Sequence, residues 1–491
     1  MMLRIFILIC LISCTFGFDD QPESCTPEDQ CQYQPTWDSL DSRPLPEWYD
    51  KSKFGIFIHW GVFAVPALGE WFWFNWKGYN STGAANYMKN NFKPNFSYQD
   101  FARDFTAEWF NATEWALLFK KSGAKYVVLT SKHHEGYTLW PSKYAFSWNS
   151  MDVGPHRDLV GELATAVRNS TNLKFGLYHS LYEWFNLLYL NDKSNNFTTS
   201  KFVDFKTGPE LYELVHVYKP EVIWSDGEWE ASDDYWKAKE FLSWLYNKSP
   251  VKDTVVVNDR WGTNTLCKHG GFLTCTDRYN PEKLIQRKWE NCMTIDKYTW
   301  GYRKNANLED YKTSRELIQQ LVITVSCGGN LLLNVGPTSE GKILPIFQER
   351  LLDIGNWLSM NGEAIYETRP WPTCQNDTFT PGVWYTTKNS TDEGQLLYAT
   401  FFKWPENNTI VLKCISNYTF AKMSLVESGR ELKFTNTTNG WEIQLPDKAG
   451  ISMEWAWSVK LTNSRLNVPP QVIKENENPD SDLVKYKYST V

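Results

Sequence analysis

The sequence predicts an α/β fold: a (β/α)8-like barrel followed by a C-terminal all-β sandwich. Three observations carry this. From about Trp48, short apolar or β-branched runs alternate with helical patterns, as in parallel strands joined by helical crossovers. These runs end in polar, chemistry-bearing residues, which in barrels gather at the C-terminal ends of the strands. From about Pro372 helical periodicity disappears and only short strand-like runs remain. A chain of 491 residues is long enough for both parts.

Taken in order, residues 1–17 read as a secretory signal: Arg4 precedes the apolar run 5–14, and Thr15 and Gly17 supply small residues for a cut. That run is shorter than the ~20 residues a membrane span requires, and no later stretch qualifies. Residues 18–371 are assigned to the barrel. Strands are expected at 54–58, 126–129, 173–177, 222–224, 254–257 and 331–333, with eight as an inference from six. Helical patterns cover 115–121, 159–168, 210–218, 234–246, 308–326 and 346–358. A doubly wound sheet is the competing topology, but no Gly-rich phosphate loop follows the first strand. Residues 372–462 form the sandwich, with strands at 383–387, 396–402, 410–413, 423–425, 441–445 and 455–461. The polar, Pro- and Asn-rich stretch 463–491 reads as a flexible tail.

Composition narrows the partners. Lys+Arg 50 against Asp+Glu 57 gives a net charge of −7, which argues against nucleic acid, whose binders carry a basic field. With Trp 25, aromatics reach 16%, more than a core needs, and suggest flat surfaces for ring-shaped ligands. Setting aside Cys10 and Cys14 of the signal leaves eight cysteines, an even number suited to an oxidising compartment. Cys25–Cys31, Cys267–Cys275 and Cys374–Cys414 are candidate pairs; Cys292 is either paired with Cys327 or a buried thiol. Eleven Asn-x-Ser/Thr sequons support passage through the secretory pathway, that at Asn247 weakened by Pro250. The C-terminus carries no retention signal, so lysosome and extracellular space both stay open.

A glycosidase needs two carboxyl groups flanking a sugar ring, one of them protonated. Asp226 is the candidate for the ionised member: it ends a strand, sits between Ser225 and Gly227, and has Trp224 and Trp229 as aromatic walls. Two candidates for the proton donor follow Arg260, namely Asp277 and Glu290, and the residues alone leave the choice open.

Four strings, Trp224-Ser225-Asp226-Gly227-Glu228-Trp229, Lys288-Trp289-Glu290 with Cys292, 54–61 ending in His59-Trp60-Gly61, and Lys132-His133-His134-Glu135-Gly136, resemble the α-L-fucosidases of glycoside hydrolase family 29, animal tissue type. The resemblance runs from about Trp48 to Trp371. It implies a retaining exo-hydrolase that removes terminal α-L-fucose through a covalent fucosyl-enzyme intermediate. Asp226 then matches the nucleophile, and Glu290 and Asp277 match rival assignments of the acid/base. His59, Glu70, Trp71, His133, His134, Tyr178, Trp224 and Arg260 fall in motifs that line the sugar pocket. Trp71 or Trp300 can supply an apolar niche for the fucose methyl group. No cofactor and no metal are expected. The expected partners are fucosylated glycans of glycoproteins and glycolipids, with homo-oligomerisation left open.

Two rival readings stand beside this one. His59, His133, His134 and Asp226 at a barrel mouth suggest a metal-dependent hydrolase, although the spacing lacks a close His pair on the first strand. A fucose-binding protein without turnover would keep the pocket but release no product.

Overall fold

The computed structural model describes residues 31–463. The signal-like segment 1–17, Cys25 and the tail beyond Asn463 lie outside the described residues.

Seven parallel strands form the main sheet: β1 (Phe54–Ile58), β2 (Tyr126–Lys132), β3 (Lys174–Ser180), β4 (Val222–Asp226), β5 (Val256–Val257), β6 (Trp289–Thr294) and β7 (Gly329–Val335). Their order is β5-β4-β3-β2-β1-β7-β6. A short stretch through Phe272 and Leu273 closes the ring between the two edges. The Phe272 amide donates to Val257 O (3.1 Å), Leu273 N to Lys288 O (2.9 Å), and Glu290 N to Leu273 O (2.8 Å). This eighth rung and β6 are both absent from the sequence-based strand set.

Strand alternation explains the packing, because successive side chains face opposite sides. Phe57, Val128, Tyr178, Trp224, Val256, Phe272, Cys292 and Leu332, one from each of the eight segments, meet in a single buried cluster that is the barrel lumen. Their neighbours Ile56, Ile58, Val127, Leu129, Leu177, Met293, Leu331 and Leu333 belong to the layer beneath the helices. Gly55 faces inward because a Cβ there would lie 2.5 Å from the Tyr126 ring.

The covering helices follow the expected pattern. The helix α1 (Ala112–Lys121) is capped by Asn111 and α2 (Leu159–Ser170) by Asp158. Next come α3 (Gly208–Tyr218), α4 (Ala238–Asn247) and α5 (Ser314–Ser326), the last opened by a Thr313/Glu316 capping box, and then α6 (Pro345–Asn361). Helix α4 starts four residues later than its periodicity suggests, because Lys237 adopts a left-handed conformation. No helix intervenes between β5, the eighth rung and β6.

Beyond the barrel, two antiparallel sheets of five and three strands pack as a sandwich. The five-stranded sheet begins at Arg369–Pro370, and the three-stranded sheet includes an exposed edge strand, Lys433–Thr437, whose polar sequence hid it. Cys374–Cys414 and Cys267–Cys275 are disulfides, as expected. Cys31 is also disulfide-bonded, while Cys292 and Cys327 are buried free thiols.

Candidate active site

The C-terminal strand ends place the expected polar groups in one mouth. Asp226, the last residue of β4, has one carboxylate oxygen bonded by the Tyr178 hydroxyl (2.8 Å) and the other by Arg260 Nη1 (2.9 Å). Arg260 Nη2 donates to Asp277 (2.6 Å), so one guanidinium forks between two carboxylates. Its Nε donates to the Thr274 hydroxyl (2.9 Å), and the Thr274 hydroxyl in turn donates to Asp259 (2.6 Å). Asp259 also accepts from the amides of Cys267 (2.8 Å) and Cys275 (3.1 Å), which ties the disulfide loop to Arg260. Burial works against a charge on Arg260, yet Asp277 and Asp226 together hold it firmly protonated. Its guanidinium carbon lies 4.6 Å from the Trp224 ring centre, and Trp224 stacks on Tyr178 at 5.7 Å.

Three histidines surround this pair. His59 follows β1 and its Nδ1 meets Asn334 Oδ1 at 2.7 Å. The Asn334 amide donates to Trp300 O (2.7 Å) and Thr294 Oγ1 (3.1 Å), so its oxygen is the acceptor and His59 Nδ1 carries the proton. Burial and the neighbouring His133 push the His59 imidazole down to about 3, which keeps it neutral. His134 Nδ1 meets Ser180 Oγ at 2.6 Å, and that hydroxyl donates its own proton to Tyr182 O. His134 Nε2 faces Asp226 at 3.5 Å. His133 stacks against Tyr178 with ring centres 5.7 Å apart.

Glu70 is buried opposite and accepts from the amides of Gly301 (2.8 Å) and Trp300 (3.0 Å); burial raises its carboxyl above the ordinary range against that pull. Trp71 lies edge-on to His134 at 5.5 Å and beside Trp229 at 6.3 Å, while Trp300 lies 5.2 Å from His59. The result is a pocket with polar groups aimed inward and aromatic walls around them.

An alpha-L-fucosidase family profile matches residues 21–363, and a profile for the alpha-L-fucosidase C-terminal domain matches 375–462. The chain belongs to the alpha-L-fucosidase family. It is 54% identical to human plasma alpha-L-fucosidase over 89% of this chain and 94% of that one. It is also 54% identical to human tissue alpha-L-fucosidase, over 88% and 92%. A crystal structure of Thermotoga maritima alpha-fucosidase in complex with fucose superposes with a TM-score of 0.74 at 35% identity, covering 87% of this chain and all of that one. The protein is therefore a glycoside hydrolase, an alpha-L-fucosidase built as a barrel with a C-terminal antiparallel domain.

The fucosidase separates the two proton-donor candidates by depth. Asp277 lies four residues beyond Leu273, past the C-terminal end of the eighth rung, and its side chain is 43% exposed. Glu290 is the second residue of β6, one past Trp289, which pairs with Leu273, and level with Asn330 near the start of β7. It is fully enclosed in the lumen, where Tyr49 and Tyr126 hydroxyls (2.6 Å each) and Trp224 Nε1 (3.0 Å) occupy its oxygens. Burial pushes its carboxyl above the ordinary range against these three donors.

For the rival metal reading, His59 Nδ1, His134 Nδ1 and both Asp226 oxygens already have protein partners. Among the described residues no three His, Cys, Asp or Glu side chains form a cluster suited to a metal. Sequence reasoning passed over Trp184, which meets Trp71 and His134 at 5.4 Å each and stacks on Trp73 at 5.5 Å. Its signal was available: an aromatic a few residues past a strand end, as Trp229 is after Asp226.

Proposed function

We propose that this alpha-L-fucosidase is a retaining enzyme in which Asp226 is the nucleophile and Asp277 the acid/base. The observation that carries the reading is the Arg260 fork, which binds both carboxylates by terminal nitrogens of one guanidinium. Retention requires a carboxyl separation of about 5–5.5 Å, and groups a guanidinium's width apart meet that scale.

In the first step an Asp226 oxygen bonds to the anomeric carbon, the glycosidic bond breaks, and Asp277 gives its proton to the departing oxygen. The like charge of Asp226 favours a proton on Asp277 at this stage, against the opposing pull of the Arg260 guanidinium. Once Asp226 is esterified that charge is gone, and Arg260 is left with Asp277 alone. Asp277 is then a carboxylate, as a base for the incoming water must be. Water attacks the anomeric carbon, its bond to the Asp226 oxygen breaks, Asp277 takes the water's proton, and fucose leaves with its configuration retained. His59, His133, His134 and Glu70 meet sugar hydroxyls in fixed directions, and Trp71, Trp224 and Trp300 border the ring and its methyl group. A sugar lacking one of these hydroxyls would leave a buried group unpaired, which is the basis of discrimination.

Glu290 serves instead as a fixed acceptor beneath Trp224. The test compares Asp277→Ala and Glu290→Ala on aryl α-L-fucosides of graded leaving-group acidity. For Asp277→Ala the loss should shrink as the leaving group improves, and azide should restore turnover; a loss independent of the leaving group sinks the assignment. Asp226→Gly should be inactive and yield β-fucosyl azide when azide is added.

The same reading takes the enzyme through the secretory pathway to lysosome or extracellular space, where it acts on fucosylated glycoproteins and glycolipids. Ten of the eleven sequon asparagines are exposed. Asn247 is the exception: its amide donates to Tyr33 O (2.8 Å) and Ser243 O (2.7 Å), leaving no hydrogen to replace. Glycopeptide mapping of secreted protein should find Asn247 bare.

A further inference from the structure

We infer that Glu135 is a positioning residue for His133, holding a proton on its Nδ1 so that Nε2 presents a lone pair, or a full positive charge, to the sugar. This rests on the reading of His133 as a pocket residue. Two of the three pocket histidines have Nδ1 held by a fixed protein partner. For His59 that partner is the Asn334 amide oxygen and for His134 the Ser180 hydroxyl. His133 has neither. Its Nδ1 is enclosed without a hydrogen bond, and 3.5 Å away is Glu135 Oε2.

Glu135 is in the complementary situation. Both of its carboxylate oxygens are enclosed and lack any hydrogen-bond donor. A buried carboxylate without a partner is costly, so the pair has reason to close. The surrounding backbone keeps the carboxylate there. The Trp148 indole donates to Glu135 O (2.9 Å), Gly136 N to His133 O (3.0 Å), and Trp184 N to His134 O (2.8 Å). Gly136 turns at φ +81, and a Cβ there would lie 2.7 Å from Glu183, so the loop has no slack. Glu183 is itself locked by Lys132 Nζ at 2.9 Å, which also reaches Glu210 at 2.7 Å, all three side chains being buried. A separation of 3.5 Å is an ion-pair distance, and active-site hydrogen bonds that are long before substrate binds shorten in the complex.

The choice of partner has a chemical consequence. An amide or a hydroxyl fixes a tautomer, whereas a carboxylate also stabilises the imidazolium. Of the three histidines, His133 is then the one whose Nδ1 faces a carboxylate, whereas His134 meets its carboxylate, Asp226, at Nε2. Tyr98 is the competing partner for Glu135: its enclosed hydroxyl is also without a hydrogen bond, and burial together with the Glu135 charge pushes its ionisation far up.

The test is a double-mutant cycle on the full-length secreted enzyme with a chromogenic aryl α-L-fucoside. Glu135→Gln, which keeps the shape, should lower kcat/KM about 10- to 100-fold, the scale of one lost charged hydrogen bond. The loss should fall below about two-fold in a His133→Ala background, since non-additivity marks residues that act as a unit. Tyr98→Phe should leave kcat and KM within about two-fold of wild type. Equal losses from Glu135→Gln in both backgrounds, or a Tyr98→Phe loss matching it, overturns the inference. A His133→Ala enzyme with wild-type kinetics overturns the pocket reading itself. If Glu135→Gln does not fold, 15N-histidine NMR of the wild type decides, with seven histidines to assign. A protonated Nδ1 on His133 supports the inference and a bare one refutes it.

Discussion

Replacing Arg260 by methionine isolates the fork that joins the two carboxylates. The Asp226 side chain is 13% exposed, so losing its cation leaves an enclosed charge with the Tyr178 hydroxyl as its remaining close donor. Orphaning a buried charge costs about 3–5 kcal/mol. The Asp277 arm, at 43% exposure, is screened by water and adds about 1 kcal/mol or less. For a fold of this size, unfolding entropy of about 2.1 cal/mol/K per residue turns the total into a fall of about 3–6 °C in Tm at pH 7. The pH dependence has a definite sign. Without Arg260 the two facing carboxylates repel each other, and acid, by protonating either one, relieves that repulsion. The Tm gap between wild type and variant, measured by calorimetry at pH 7 and pH 4.5, should thus shrink on acidification. A gap absent at pH 7, or equal at both, would refute the reasoning.

Other perturbations probe the neighbouring layers. His59 titrates at about 3 in the fold against 6.5 unfolded, so stability falls as pH drops below 6.5, by about 2–3 kcal/mol at pH 4.5. Denaturant melts of His59→Gln should lack that component, and an unchanged pH slope would contradict a neutral buried imidazole. Gly55→Ala puts a methyl group 2.5 Å from the Tyr126 ring, which holds Glu290, so overpacking should cost about 1–3 kcal/mol in the same melts. Opening Cys267–Cys275, a crosslink across a sequence separation of eight, should remove about 2.5 kcal/mol by loop entropy. Because the Asp259–Thr274–Arg260 chain runs through that loop, mild reduction should lower kcat before the protein unfolds.

The legible parts of the fold share a physical cause. Strand β1 reads cleanly because both of its faces are apolar, Phe57 toward the lumen and Ile56 and Ile58 toward the helices. Strand β6 does not, because its inward face carries Glu290, Cys292 and Thr294, and a polar lumen cancels the hydrophobic signal. The eighth rung is two residues of pairing without a helix on either side, too short for any periodicity. Among the candidate residues, motifs pointed to Asp226, Arg260 and the histidines, which the fold brings to one mouth. Depth along a strand leaves no mark in sequence, so Glu290 and Asp277 could not be told apart until register fixed one in the lumen and the other above it. The partners Asn334 and Ser180 were visible only as polar strand ends; what they orient depends on which strands are neighbours, β1 beside β7 and β3 beside β2.

The helix-free passage from β5 through Phe272 to β6 divides the two carboxylates joined by Arg260 into parts of unequal freedom. Asp226 is welded to a central strand, where any shift would disturb the lumen. Arg260, Thr274 and Asp277 ride on one continuous excursion, fastened at its root by a disulfide and returning to the barrel through a two-residue stitch. Outside Arg260 and the Phe272–Leu273 rung, such an excursion can change length or sequence without altering strand number or barrel closure. On the roles proposed above, leaving-group preference can therefore drift by exchange of the stretch beyond Asp277 while Arg260 and the rung are kept, and residues 278–287 are the natural unit for redirecting the enzyme to new aglycones.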